Sequence, residues 1–452
     1  MKSDIFITMH VMKQTIGVAL IGCGIVGSAV AKRLLSEREY YEKKTGIDID
    51  LRYIVSRTFS KAKAAGLPEN LFTPDFSAVL ADPRVSVVVE LVGGTDAALR
   101  ITEQAIDAGK HIVTANKALL AHHGTALLAR ARERRVTVSF EASCAGGIPI
   151  IRVLQEGLLA NRIEALYGIV NGTCNYILTE MIARGQSYAA ALADAQKEGF
   201  AEADPYLDVA GIDSAHKLAI LASLAFGTPV DFNSLPVQGI DTLDSMDVAF
   251  GKELGYIVKL LGVARRTEAG ISCRVRPAFI STSHPLAWVS GPFNAVSVYG
   301  DLVGHTMYYG RGAGGRPTAS SVIADIISAA LGISDRLFAN LAIWPDRSPV
   351  IPLLPLEEVE SRYYLRVMVA DRPGVFAALA SVLGKHGISI SSALQKEPPS
   401  ADGTSVPVPI VITTHHVREG ALMAAIRELN ELSCVTDKCA FIDILEEQEE
   451  TI

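Results

Sequence analysis

The chain has 452 residues, is 49% hydrophobic and 20% charged, and carries a formal net charge of −7; at roughly 100 to 200 residues per domain it holds two or three domains, each able to bury a core. Its basic residues are dispersed, which excludes the positive field of a nucleic-acid binder, and its wealth of Ala, Val, Ile, Leu and Gly is that of an α/β enzyme. Cys23, Cys144, Cys174, Cys273, Cys434 and Cys439 lack the paired spacing of a zinc site and fit a reducing, cytoplasmic compartment better than a disulfide framework.

The first 14 residues, with Met1, Met9 and Met12 as alternative starts, have neither a continuous apolar run nor a small-residue cleavage site, so they read as an extension before the first strand. From Ile16 to Phe140, β-branched runs alternate with amphipathic stretches: Ile16 to Ile21, Ile49 to Val55, Val85 to Leu91, His111 to Thr114 and Val136 to Phe140. That rhythm predicts a parallel sheet with right-handed crossovers. The longest apolar run, Val85 to Val92, is broken by Glu90 and falls far short of the roughly 20 residues of a membrane helix, so a membrane protein is not expected.

Gly22, Gly24 and Gly27 form G-x-G-x-x-G between the first strand and a helix over Ser28 to Leu35. The spacing serves a tight turn, a close approach of pyrophosphate to bare backbone, and helix-to-strand packing, with phosphates on the helix N-terminus. These glycines, with Ile25 and Val26 between them, are the expected dinucleotide contacts. The second strand ends in Val55, Ser56, Arg57, with Lys61 nearby and acids only at its start, which favours NADP over NAD; Arg57 is either a contact for the 2′-phosphate or a solvated loop cation. Gly93, Gly94 and Thr95 end the third of these strands, and Asn116 and Lys117 end the fourth, so both loops face the crevice beyond the strand ends.

After Pro149 the pattern changes to helices mixed with half-buried strands such as Leu166 to Val170, Ile271 to Phe279 and Leu302 to Tyr309, a second domain on a partly antiparallel sheet. Within it, the segment from Glu198 to Lys217 gathers five acids and two bases beside an almost wholly apolar run, Leu218 to Phe226. Asp213 and Lys217, four apart, share a helix face. Burial of such a pair demands partners or a function. Carboxylates beside a lysine suit a substrate with an ammonium and a hydroxyl, the lysine exchanging the hydroxyl proton as hydride leaves carbon; the spacing does not say which acid does which. Asn171 and Thr173 either line the cleft or only cap and turn the chain. A helix over Thr318 to Leu331 follows the glycine run Gly310 to Gly315 and returns to the first domain.

Ser348 to Glu360, with three prolines and an acidic patch, reads as a linker. A βαββαβ unit follows: strand Tyr363 to Val369, helix Phe376 to His386, strands Ile388 to Leu394 and Val406 to Thr414, helix Glu419 to Glu431, strand Val435 to Ile444. The expected division is a Rossmann-type dinucleotide domain over 1–148 completed by 316–340, an α+β substrate and dimerisation domain over 149–315, a linker over 341–361 and a regulatory domain over 362–452.

Over about residues 15 to 335 the chain resembles homoserine dehydrogenase. The matching pieces are the glycine triplet, Asn116-Lys117-Ala118, Glu141 to Pro149, Asn171 to Tyr176, Glu198 to Lys217, and Gly312 to Gly315. The resemblance implies reversible NAD(P)-dependent hydride transfer between L-homoserine and L-aspartate 4-semialdehyde in threonine, methionine and isoleucine biosynthesis. It makes Lys217 and Lys117 the catalytic lysines, with Asp213, Glu202 and Asp208 arranging the lysine and the substrate amine. Gly314 matches a position that approaches the cofactor, and Gly199 is counted with it. A monovalent cation, Na+ or K+, is implied on the backbone carbonyls of Glu141, Cys144, Gly146 and Ile148; Cys144 stands where a branched aliphatic residue is usual, which matters little to a carbonyl. The C-terminal unit, with Asp371-Arg372-Pro373-Gly374-Val375 joining strand to helix, resembles an ACT domain, which implies a homo-oligomer, dimer or tetramer, and L-threonine feedback through Asp371, Gly374 and Val375. The competing readings are an NADP-linked dehydrogenase of another small amino acid semialdehyde, a catalytically silent amino-acid sensor, and, for the ACT unit alone, a ligand-free dimerisation module.

Overall fold

The computed structural model describes residues 14–347, 349–396 and 407–448; most of the N-terminal extension, Ser348 and the start of the strand expected from Val406 lie outside them. The chain folds as two compact units.

The first unit comprises Met1–Gly157, Gly227–Pro229 and Arg311–Pro349. Its strands are β1 (Gln14–Ile21), β2 (Ile47–Val55), β3 (Phe72–Thr73), β4 (Val85–Glu90), β5 (His111–Thr114) and β6 (Val138–Ser139), all parallel, in the order β3-β2-β1-β4-β5-β6. This is the doubly wound order whose chain reversal between β1 and β4 opens a crevice at the strand carboxyl ends. Strand residues Val18, Leu20, Val87, Val89 and Val113 form one core with Val30 and Leu34 of the Ile25–Ser36 helix and with Val322 and Ile326 of the Gly315–Ala330 helix. The late helix thus packs into the core of the first unit. The strand expected over Val136–Phe140 is limited to Val138–Ser139, because the chain turns immediately into a 3₁₀ turn over Glu141–Ser143.

The second unit comprises Leu158–Phe226, Val230–Gly310 and Val350–Ile452. Its further strands are β7 (Ile163–Ile169), β8 (Tyr256–Arg266), β9 (Ile271–Ser281), β10 (Phe293–Gly300), β11 (Gly304–Arg311), β12 (Glu360–Val369), β13 (Ile390–Gln395), β14 (Val408–Thr414), β15 (Val417–Arg418) and β16 (Ala440–Leu445). They make one sheet, β11-β10-β7-β8-β9-β16-β12-β14-β13, with β15 on β12. β10, β7, β8 and β9 pair antiparallel, then β9 meets β16 in parallel, with Ala278 opposite Asp443. The βαββαβ module beyond Glu360 therefore continues the sheet of the preceding domain. Contrary to the half-buried reading of Ile271–Phe279, β9 is buried along nearly its whole length, because neighbours pair on both edges and its faces are covered.

Charge is buried at this joint, and it is paired. Asp443 accepts from Arg274 at 2.8 Å and Arg276 at 2.9 Å, and Arg276 also donates to Glu419 at 3.0 Å. On β12, Arg366 donates twice to Asp247, at 2.6 and 2.9 Å, and the Tyr364 hydroxyl donates to the same carboxylate at 2.9 Å. Forked guanidinium–carboxylate pairs offset much of the desolvation that burial imposes.

Candidate active site

In the first unit the glycine turn can be tested position by position. Gly22 has φ +96°, and a Cβ there would fall 2.6 Å from the Leu91 carbonyl oxygen. A Cβ on Gly27 would lie 2.2 Å from the Gly22 carbonyl oxygen. Both bare Cα atoms serve packing. Around Gly24, by contrast, a Cβ would meet nothing within 4 Å, so no contact among the described residues explains that glycine, and space is left there for a ligand. The helix that follows has no acid in its first turn and no side-chain cap, which leaves the N–H groups of Ile25, Val26 and Gly27 for an anion. Ile25 is 77% exposed despite its size.

The neighbouring strand ends are tied by a residue that sequence reading treats only as a break in an apolar run. Glu90, fully buried, accepts from the Val92 backbone N–H at 2.7 Å and from the Thr114 hydroxyl at 2.6 Å. Thr114 in turn accepts from the Asn116 N–H at 3.0 Å, while the Asn116 amide donates to the Gly94 carbonyl at 2.7 Å and its Oδ1 caps the next helix at Leu119. This network fixes the start of the Lys117–Glu133 helix, and hence Lys117, against the Gly93–Thr95 loop. Thr95 precedes the Asp96–Asp107 helix with no side-chain cap bond. Arg57, just past β2, is exposed, as is Lys61.

Beyond β6 the chain makes two successive left-handed residues, Ala145 at φ 51° and Gly146 at φ 48°. A Cβ on Gly146 would strike the Gly312 carbonyl at 2.4 Å, and a left-handed alanine is strained, a feature that tends to sit at functional loops. The Gly146 carbonyl accepts from Ser321 at 2.7 Å and that of Ile148 from the Ile150 N–H at 2.8 Å, each keeping a second lone pair. The Glu141 carboxylate accepts from the Ile151 and Arg152 N–H groups at 2.9 Å each. Burial, then the neighbouring Asp325, pushes its pKa up to about 7. No cluster of three or more His, Cys, Asp or Glu side chains suited to a metal occurs among the described residues.

In the second unit the Ile212–Phe226 helix is buried almost throughout, and Asp213 and Lys217 are 5% and 8% exposed. Lys217 Nζ donates to Asp213 Oδ2 at 2.7 Å and to the Val170 carbonyl at 2.6 Å. Asn171 caps the Gly172–Arg184 helix through the Cys174 N–H, and its amide donates to Asp213 Oδ2 at 2.9 Å and Asp208 Oδ1 at 2.7 Å. Thr173 Oγ1 lies 3.0 Å from Asp208 Oδ2 and 2.7 Å from the Phe200 carbonyl. The Asn171 oxygen thus caps the helix while its amide nitrogen bridges both acids. Cys174, missed in the sequence as a neighbour of this cluster, donates from Sγ to the Asp208 carbonyl at 3.1 Å, and burial, with Asp208 and Asp213 nearby, pushes its thiol pKa well up. Glu202 is exposed, and no side-chain hydrogen bond joins it to the cluster; Gly199, at φ +76°, is exposed as well.

In the C-terminal module Gly374, at φ +90°, precedes the Val375–Lys385 helix with no side-chain cap. Val375 is buried, and the exposed Asp371 accepts from the Gln395 amide at 3.3 Å.

A family model for homoserine dehydrogenase fits residues 149–327, one for the homoserine dehydrogenase NAD-binding domain fits 22–141, and one for the ACT domain fits 363–432. A homoserine dehydrogenase of Pseudomonas aeruginosa is 45% identical over 427 residues, 94% of this chain and 97% of that protein. The chain belongs to the homoserine dehydrogenase family. The crystal structure of a homoserine dehydrogenase from Thiobacillus denitrificans, 42% identical, superposes with a TM-score of 0.90 over 96% of this chain and 99% of that one. A hyperthermophilic archaeal homoserine dehydrogenase in complex with NADPH, 28% identical, covers 70% of this chain and 98% of its own length with a TM-score of 0.58. The protein is accordingly an oxidoreductase acting on a CH–OH group, with a nicotinamide-nucleotide-binding domain and a C-terminal ACT domain. Among the described residues, no helix is long and apolar enough to cross a membrane.

Proposed function

We propose that the protein reduces L-aspartate 4-semialdehyde to L-homoserine with NADPH in the cytosol, on the route to threonine, methionine and isoleucine, and that L-threonine restrains it through the ACT domain. The observation that carries this reading is the buried Lys217–Asp213 pair, held by Asn171 and Thr173 together with Asp208. NADPH supplies the hydride when bound. Lys217 gives its proton to the aldehyde oxygen and takes it back in the oxidation of homoserine. Asp213 orients the ammonium, Asp208 and Glu202 hold the substrate amine, and Lys117, at the start of the helix after β5, is the second catalytic lysine. Glycine 24 and the open helix start take the pyrophosphate, with Thr95, Gly199 and Gly314 as further cofactor contacts. The exposed Arg57 serves the 2′-phosphate, a preference supported by the absence of an acid after β2.

The left-handed Ala145–Gly146 pair supports a monovalent cation, Na+ or K+, on the carbonyls of Glu141, Cys144, Gly146 and Ile148, where it would hold the loop without entering the chemistry. Asp371, Gly374 and Val375 are the effector contacts, in a homo-oligomer formed with further copies of the chain. Six buried cysteines fit the reducing cytosol. The test is the fall of reduced-nicotinamide absorbance with aspartate semialdehyde, with NADPH and NADH compared and L-threonine added in a parallel arm. NADPH oxidation suppressed by threonine is expected; turnover of neither cofactor by folded protein rejects the reading.

A further inference from the structure

The helix that begins with Asn171 rests on a buried cation that the reaction does not use. Lys259 on β8 is 2% exposed, and its Nζ donates to Asn175 Oδ1 at 3.1 Å and to the Val289 carbonyl at 2.5 Å. Neither acceptor is charged. Removing an ammonium from water without a carboxylate costs several kcal/mol, and burial pushes this one down to about 8. Only fixed dipoles hold such a group.

Those dipoles belong to one knot. Asn175, also 2% exposed, has its amide nitrogen 3.2, 2.9 and 3.2 Å from the carbonyl oxygens of Val289, Gly291 and Phe293, which share its two N–H donors. Thr179, one turn on, accepts from the Gly291 N–H at 3.0 Å. Gly172 leaves room for the Pro292 carbonyl oxygen, which a Cβ would approach to 2.8 Å. Positions 172, 175 and 179 are spaced i, i+3, i+7, so one helix face is strapped to the 289–293 loop. The interleaved positions 171 and 173 carry the contacts to Asp208 and Asp213. The rotation of a single turn therefore sets both.

We propose that Lys259 is a positioning residue: by clamping Asn175 and the Val289 carbonyl it fixes the turn from which Asn171 and Thr173 hold Asp208 and Asp213, and through Asp213 it sets Lys217. The inference rests on reading the Asn171–Lys217 cluster as the substrate site. A misplacement of about 1 Å costs on the order of 100-fold in rate.

The test is steady-state oxidation of homoserine by Lys259→Met, Asn175→Ala and the double variant, with NADPH binding followed by fluorescence titration. The expected result for each single variant is a loss of about 10- to 100-fold in kcat/KM for homoserine with NADPH affinity retained. The double variant is expected to be no worse than the weaker single, because both act through one knot. Asp208→Asn is run alongside: unchanged homoserine kinetics there would overturn the site reading itself. If Asp208→Asn is impaired while folded Lys259→Met keeps wild-type kinetics, loses cofactor affinity equally, or adds independently to Asn175→Ala, the positioning role is overturned. Should Lys259→Met not fold, Thr179→Val, which removes the Gly291 tie together with the hydroxyl's bond to the Asn175 carbonyl, decides: a homoserine-specific loss supports the role, and wild-type kinetics overturns it.

Discussion

Replacing Gly24 and Gly27 by alanine in separate proteins separates what the glycine turn does for folding from what it does for the cofactor. At Gly27 the new Cβ would sit 2.2 Å from the Gly22 carbonyl oxygen, a backbone atom at a tight turn. Alanine gains about 1 kcal/mol of helix propensity over glycine, but relieving an overlap of more than 1 Å against backbone costs more, on the scale of about 1–3 kcal/mol seen for overpacking. Gly27→Ala is therefore expected to lower stability and weaken nucleotide binding together. At Gly24, with φ −80° and nothing within 4 Å of a Cβ, the only folding cost is that alanine is a poorer N-cap, at most about 1 kcal/mol. There a methyl instead occupies the approach of the pyrophosphate, so NADPH affinity is expected to fall at least about tenfold, equivalent to about 1.4 kcal/mol. Thermal melting without cofactor and NADPH fluorescence titration give both numbers. Wild-type NADPH affinity in Gly24→Ala would refute the assignment of the turn.

Three further outcomes follow from other parts of the molecule. Arg57→Glu should reverse the preference from NADPH to NADH, read as the ratio of kcat/KM values, because a carboxylate there repels the 2′-phosphate and accepts from the ribose hydroxyl; an unchanged ratio makes Arg57 a solvated loop cation. Asp443→Asn leaves the buried Arg274 and Arg276 guanidiniums short of their shared carboxylate and should cost about 3–5 kcal/mol by urea denaturation; a loss below about 1 kcal/mol would mean the joint tolerates unpaired charge. Asp82, bonded by the Arg84 side chain and backbone and by Tyr53, is held below the usual carboxylate range. Its folded pKa lies under its unfolded one, so its contribution is present above about pH 4 and is lost as the pH falls toward the folded value. Asp82→Asn should accordingly be less stable than the wild type at neutral pH and approach it in acid; a pH-independent gap would contradict this.

The candidate site is made of more local pieces than the sheet. The glycine turn, Asn116-Lys117 and the Asp213–Lys217 spacing each have a local cause, so they can be read from a short window. Tyr256–Arg266 and Phe293–Gly300 are not singled out as strands, because residues buried on both faces lose the alternation that marks a half-buried strand. The last strand begins at Ala440 rather than Val435. The continuation of the sheet through β9 and β16 pairs residues some 165 positions apart in the chain, as Ala278 with Asp443, and no short-range pattern encodes it. Lys259 and Glu90 were illegible for the same reason: a lone charge in an apolar run acquires meaning only from the distant atoms it meets.

The most direct measurement of the central claim is turnover and NADPH binding by Lys217→Ala in the same preparation. Loss of aspartate semialdehyde reduction by about 100-fold or more, with folding and NADPH affinity retained, is the predicted result. Wild-type turnover by that variant would contradict the proton-transfer role and, with it, the reading of the buried Lys217–Asp213 pair.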